Sequence, residues 1–66
     1  MKEIFNETGD FFGNLDENGN FYIDGKIVAR VESDQVYDLR NNNVGYINGR
    51  NIFHDKDPKI KTTLKR

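Results

Sequence analysis

The residue types that supply nucleophiles, general bases and metal ligands are scarce in this 66-residue chain. It has one histidine, His54, one serine, Ser33, and no cysteine. A nucleophilic triad requires a nucleophile, a base and an orienting group within hydrogen-bond reach, and a structural zinc site requires four Cys, His or carboxylate ligands. Neither set can be assembled, so we expect no catalytic residues, no cofactor and no metal site.

Oxygen-bearing side chains cluster in the segment 16–20, Asp-Glu-Asn-Gly-Asn, with the loose spacing of the start of a calcium loop. An EF-hand loop also needs glycine at its sixth position and glutamate at its twelfth, where this chain has Phe21 and Ile27. A solvated turn is therefore the better interpretation of this segment.

Charge is distributed unevenly, although the net charge is only -1. Residues 1–38 hold three Lys or Arg and nine Asp or Glu, a net charge of -6, whereas residues 39–66 hold seven and two, a net charge of +5. A solvated surface with a basic tail explains this pattern. The alternative is head-to-tail self-association or a weak polyanion contact through Lys56, Lys59, Lys61, Lys65 and Arg66.

Length and composition indicate one small domain. A chain of this size buries only about 60% of the surface that its unfolded form exposes, and without cysteine no disulfide can compensate. No apolar run approaches the roughly 20 residues of a membrane span, and Met1–Phe5 lacks the apolar region of a signal peptide. We therefore expect a cytoplasmic protein with no membrane partner.

A sixteen-residue motif recurs four times without a gap, in the units 4–19, 20–35, 36–51 and 52–66. Such fixed-period similarity is typical of repeat architectures, whose terminal unit departs from the pattern. The second position of every unit is aromatic: Phe5, Phe21, Tyr37 and Phe53. The ninth and twelfth positions of the first three units are bulky and apolar, and the tenth is small: Gly13, Ala29 and Gly45.

Apolar positions nine and twelve are three residues apart, so a flat strand would direct them to opposite faces. The small residue between them predicts either a bulge or kink that turns both toward one core, or a close approach of backbones at a symmetry axis. On both interpretations Gly13 and Gly45 are structural positions, at which a large side chain is costly.

Each unit is predicted to form two short strands, because β-branched and aromatic residues stand in short runs between Gly, Asn and Asp turn residues. Four hairpin repeats around a pseudo-fourfold axis give about eight strands. Closing or nearly closing this ring leaves few free sheet edges. The sequence thus predicts an all-β domain over residues 1–61, followed by a basic C-terminal tail over residues 62–66.

The segment 36–47, Val-Tyr-Asp-Leu-Arg-Asn-Asn-Asn-Val-Gly-Tyr-Ile, resembles the units of the small bacterial proteins described as four-fold β-flower domains. In those proteins four hairpin-like units, with aromatic-Asp and apolar-Gly-x-apolar elements, surround a central axis. The resemblance extends over roughly residues 3–61 and is weakest at Pro58, Lys59 and Lys61. It implies the same fold and brings no catalytic residue, because that family has no assigned function.

The units differ most at their polar third and eleventh positions, which are Asn6, Tyr22, Asp38 and His54, and Asn14, Arg30, Tyr46 and Thr62. Tyr and Arg are enriched among residues that dominate binding energies, and fourfold symmetry would place each set on one ring. The candidate binding residues are therefore Tyr22, Arg30, Asp38, Tyr46 and His54. Ordinary outward-facing polar side chains are the alternative interpretation.

These features predict a non-catalytic interaction module that binds a protein partner or itself. A small-ligand-binding mini-barrel that uses one mouth of the ring is an alternative. Weak nucleic-acid contact through the basic C-terminal part is another, against which the acidic first half argues.

Overall fold

The protein is an all-β structure in the computed structural model, which describes residues 1–56. This part contains seven strands and no helix: β1 Lys2–Phe5, β2 Phe11–Leu15, β3 Asn20–Ile23, β4 Lys26–Glu32, β5 Gln35–Asp38, β6 Asn43–Ile47 and β7 Phe53–Asp55. The predicted fold class is confirmed. The eighth predicted strand and the basic tail 62–66 lie outside the described residues.

The seven strands form one antiparallel meander in which each strand pairs with the next. Because the number of strands is odd, β1 and β7 run in the same direction. They approach each other at one parallel bridge between Phe5 and Ile52, beside which the Phe5 N–H donates to the Asn51 carbonyl at 2.9 Å. The sheet is thus a nearly closed barrel, as the sequence predicts.

The centre of the barrel is filled by apolar side chains. Within residues 1–56, seven residues with apolar side chains are 5% exposed or less: Ile4, Phe21, Ile23, Ala29, Val36, Ile47 and Phe53. The ring of Phe12 lies between two aromatic rings of this core, 5.5 Å from the Phe21 centroid and 5.2 Å from the Phe53 centroid. The Phe12–Phe53 contact joins β2 to β7, which are distant in the sequence, so the thin core is shared by both halves of the sheet.

One extra residue interrupts the second strand of each of the first three predicted hairpins. Ile4 lies opposite Gly13 and Phe5 opposite Phe11, which leaves the intervening residue without a cross-strand partner. The register shift recurs at 16-residue intervals, so that the unpaired residues are Phe12, Val28 and Val44. All three pack against the core, because a bulge re-aims the side chains beside it. The predicted bulge is present and lies one residue before the small position.

The small position itself is required by close packing against the following strand. A Cβ at Gly13 would lie 2.3 Å from the Tyr22 carbonyl oxygen, and one at Gly45 would lie 2.2 Å from the His54 carbonyl oxygen. No side chain fits at such distances without a backbone shift. The close backbone approach therefore lies between neighbouring strands, β2 with β3 and β6 with β7, rather than at the symmetry axis that the sequence suggested.

The four aromatic residues at the second position of the units differ in their burial. Two of its residues are buried in the core, Phe21 and Phe53, and two are half-buried, Phe5 and Tyr37. In unit 20–35 the small residue Ala29 pairs with the aromatic Phe21. In units 4–19 and 36–51 the small glycine pairs instead with the residue before the aromatic one, Ile4 or Val36. Because side chains alternate between faces, this one-residue shift directs a different residue inward, and Ile4 and Val36 are buried instead.

We expect the substitution Gly45→Val to destabilise the fold much more than Gly49→Val. A Cβ at Gly49 has no heavy atom within 4 Å, whereas at Gly45 it meets both a carbonyl oxygen and the Phe53 ring. Overpacking of this kind costs about 2 kcal/mol or more, which lowers the melting temperature of a chain this small by about 8–16 °C. Thermal unfolding followed by circular dichroism measures the difference, and equal shifts for the two variants would contradict it.

Candidate interaction surface

Four of the connections between strands contain a five-residue loop segment with one shared geometry, whose first or last residue can belong to a strand. The first residue of each loop is Asn or Asp, and its Oδ1 accepts the backbone N–H groups of the third and fifth loop residues at 2.8–3.1 Å. The fourth residue has a φ of 63–87°, which favours Gly and Asn. The capping residues are Asn6, Asp16, Asp38 and Asn48.

These loops repeat at 32 residues rather than at 16. The cap at position 6 corresponds to that at 38, and the cap at 16 to that at 48, whereas two-residue turns at 24–25 and 33–34 connect β3 to β4 and β4 to β5. The loops therefore repeat every 32 residues, whereas the bulges repeat every 16 residues. The fourfold arrangement of the repeats stays a prediction.

The cap at Asp16 has a second partner on the following strand. Its Oδ1 holds the loop, and its Oδ2 accepts the Tyr22 hydroxyl at 3.0 Å. The Asn20 backbone N–H, followed by the Asn20 side-chain amide, lowers the pKa of Asp16. The hydrogen bond to this carboxylate raises the pKa of Tyr22. Tyr22 is thus fixed by the loop that precedes its strand.

His54 occupies the equivalent position beside the cap Asn48. The Nδ2 of Asn48 lies 3.0 Å from the ring Nε2, and the Glu7 carboxylate lies 3.0 Å from the ring Nδ1. Because the Asn48 Oδ1 already accepts two backbone N–H groups, the amide NH₂ must face the ring, and only an unprotonated Nε2 accepts it. The hydrogen-bond network therefore assigns the proton to Nδ1, which donates to Glu7.

Tyr46 lies directly opposite His54 on the outer side of the sheet. The two rings are stacked with their centroids 5.0 Å apart and an interplanar angle of 17°. Gln35 lies opposite Tyr46 on the other neighbouring strand. We call the row Gln35, Tyr46 and His54 the Tyr46 face. Tyr46 as a residue is 42% exposed. Because His54 is held at both ring nitrogens, the stacked Tyr46 ring is presented in a defined orientation.

Arg30 is held on a different part of the surface. Its guanidinium pairs with Glu32, donates to the Asn41 Oδ1 at 2.8 Å and lies 4.9 Å from the centre of the Tyr37 ring. Asn41 belongs to the loop that Asp38 caps, so both predicted binding residues act locally in holding this loop against β4. The Asn42 backbone N–H, and after it that of Arg40, lowers the pKa of Asp38.

The structure thus brings Tyr46 and His54 together, places Arg30 near the loop of Asp38, and sets Tyr22 beside Asp16. Glu7 and Asn48 were missed by the sequence reasoning. The usable signal is the pattern Asx-x-x-Gly/Asn, which begins at the four caps Asn6, Asp16, Asp38 and Asn48. Its first residue caps the loop and its fourth adopts positive φ.

An open depression lies at one end of the barrel, lined by Met1, Lys2, Leu15, Asp16 and Glu17. Within residues 1–56, no three His, Asp or Glu side chains are grouped closely enough to hold a metal ion. None of these residues forms a helix of the length and apolarity needed to cross a membrane. Comparison with protein-family models, curated proteins and solved structures finds no match.

We expect Asp38→Asn to make the protein less sensitive to acid. The pKa of Asp38 is lowered from its ordinary value of 3.8, so its carboxylate contributes stability above that pH and loses this contribution as the pH falls through the lower folded-state pKa. An asparagine cap supports the same loop at Asn6 and Asn48 without titrating. Melting temperatures measured from pH 5 to about pH 2 should decline less steeply for the variant than for the wild type.

The matched control is Asp24→Asn, in a two-residue turn where both residues have positive φ. Asn tolerates this conformation as Asp does, and no side-chain hydrogen bond is made by Asp24 within the described part of the chain. Its acid profile should follow that of the wild type. A similar change in both variants would show that Asp38 has no special contribution.

Proposed function

We propose that this protein is a non-catalytic interaction module that binds a protein partner, or a second copy of itself, through the Tyr46 face. The observation that carries the proposal is the half-exposed Tyr46 ring stacked on a histidine that is fixed at both nitrogens. Tyrosine is enriched among the residues that dominate interface energies. A ring already held in place loses little conformational freedom on binding, so more of the contact energy appears as affinity.

The neighbourhood of Tyr46 fits a protein surface better than it fits a reaction. Gln35 supplies amide groups on one side, and Glu7 supplies a carboxylate beyond His54 on the other. A polar rim around an aromatic centre is the usual anatomy of a protein interface. The third and eleventh positions are those at which the repeats differ most. Here one residue of each kind, His54 and Tyr46, is in contact with the other.

The two alternative functions receive less support. The mini-barrel hypothesis requires interior space, but the side chains at the centre of the described barrel are packed apolar residues. The nucleic-acid hypothesis depends on the basic C-terminal part, in which Lys56 is described and exposed, whereas Lys59, Lys61, Lys65 and Arg66 lie outside the described residues. Membership of the four-fold β-flower proteins remains part of the proposal, supported by the nearly closed ring of short antiparallel strands.

A photo-cross-linking amino acid placed at position 46 tests the proposal. The same group at position 27 is the matched control, because Ile27 is 45% exposed, is also on an outer strand surface and lies on β4, outside the Tyr46 face. We expect a specific adduct from position 46 and none from position 27. A dimer formed by the purified protein identifies self-association, and an adduct formed only in an extract of the source cells identifies a separate partner.

The substitution Tyr46→Ala should then weaken the identified complex by about tenfold or more, which is the effect of truncating a major interface residue. Ile27→Ala should leave the affinity unchanged. Sedimentation velocity measures the self-associating case, and titration with the isolated partner measures the other. Equal adducts at both positions, or none at either, would overturn the proposal.

A further inference from the structure

Two equivalent caps in this chain differ in a way that assigns opposite hydrogen-bonding roles to their partners. At the first, the Asp16 carboxylate uses one oxygen for the loop and the other for the Tyr22 hydroxyl, a donor. At the second, the Asn48 amide uses its only oxygen for the loop and presents its NH₂ to His54, an acceptor. The carboxylate oxygen of Asp16 faces a donor, and the NH₂ group of Asn48 faces an acceptor. In each pair a donor therefore meets an acceptor.

Only the second pair contains a histidine. Histidine gains a proton between about pH 8 and pH 5, and an imidazolium has donors at both nitrogens and no acceptor. Protonated Nε2 would face the Asn48 NH₂, donor against donor. If the amide turned its oxygen to the ring, it would abandon the N–H groups of Arg50 and Ile52, which that oxygen now accepts at 2.9 and 3.1 Å.

Protonation has the opposite effect on the other side of the ring. The Glu7 carboxylate, 3.0 Å from Nδ1, attracts the imidazolium more strongly than the neutral ring. Glu7 belongs to the loop after β1, and it is the only charged side chain of the described residues that is paired with His54. The other ionisable neighbours are Tyr46, stacked on the ring, and Asp55 and Lys56, which follow His54 in the chain.

We propose that the Tyr46 face is pH-sensitive, with His54 as the switch: protonation detaches the ring from Asn48, loosens the 48–52 loop and holds the ring to Glu7 alone. The His54 ring, on which Tyr46 stacks, then loses one of its two hydrogen bonds, so binding through this face weakens in acid. This regulation of binding rests on the function proposed above, whereas the detachment of His54 is a property of the free protein.

The proton assignment is tested first, by ¹⁵N NMR of the histidine ring in the full chain. His54 is the only histidine, so a single ring is observed. At pH 7.5 we expect the tautomer with the proton on Nδ1. A proton on Nε2 at that pH would overturn the proposal.

Loosening of the loop is tested by amide hydrogen exchange at Arg50 and Ile52, whose N–H groups the Asn48 oxygen accepts. The equivalent amides in the first pair, Asn18 and Asn20, provide an internal reference that corrects for intrinsic pH dependence. Between pH 7.5 and 5.0 we expect the protection of the 48–52 loop, relative to this reference, to fall by about tenfold, which corresponds to the loss of one ordinary hydrogen bond. An unchanged ratio would contradict the proposal.

The rescue variant is Asn48→Asp, which provides the second oxygen that His54 needs when protonated. Aspartate caps the equivalent loop at position 16, so the variant should fold. Its loop protection should not fall between pH 7.5 and 5.0, and a fall like that of the wild type would show that the Asn48 contact is not the sensitive element. Cross-linking yield at position 46 should decrease in acid for the wild type and not for this variant.

These readouts separate the two proposals. NMR and hydrogen exchange report on the free protein, so they can succeed even if no partner is cross-linked, in which case only the interaction function fails. If cross-linking at position 46 succeeds but its yield is independent of pH, the interaction function stands and the regulation is refuted.

Discussion

The whole structure depends on how very short strands satisfy the backbone hydrogen bonds at their ends. Strands of three to seven residues leave a large share of the chain in connections, and each connection must supply its own donors and acceptors. Four loops do this with a single Asn or Asp oxygen that accepts two backbone N–H groups. A rigid loop of this kind also fixes the direction in which the next strand begins, so it determines what lies beside that strand.

The second constraint is the thinness of the core. A sheet this small gains burial by turning the apolar ninth and twelfth positions of a unit toward one core, and the bulges at Phe12, Val28 and Val44 accomplish this at regular intervals. Glycine after the bulges at Phe12 and Val44 allows the next strand to approach within van der Waals contact of the backbone. The aromatic contact of Phe12 with Phe53 then connects the first half of the barrel to the last described strand.

Repetition and variation have different consequences in this chain. The bulges preserve the 16-residue spacing because each of them directs an apolar side chain toward the core. The loops follow a 32-residue spacing, and within it the pairs Asp16–Tyr22 and Asn48–His54 occupy equivalent places with complementary chemistry. Variation at these places leaves the loop geometry intact, because either Asn or Asp caps it. The surface can therefore differ between the two halves at little cost to the fold, and the Tyr46 face occurs once among the described residues.

The sequence by itself determined the fold class, the near closure of the sheet, the turns and the small positions beside the bulges. These features follow from local residue types, since Gly, Asn and Asp specify turns and β-branched and aromatic residues specify strands. Among the five candidate binding residues, the pattern gave no sign that Tyr46 and His54 are in contact. Only the tertiary structure decided that Phe21 and Phe53, rather than Phe5 and Tyr37, enter the core, because that choice depends on a one-residue register set by loop length. It also decided that Glu7, 47 positions away in the chain, meets His54, because the closing of the barrel brings the first loop to the last described strand.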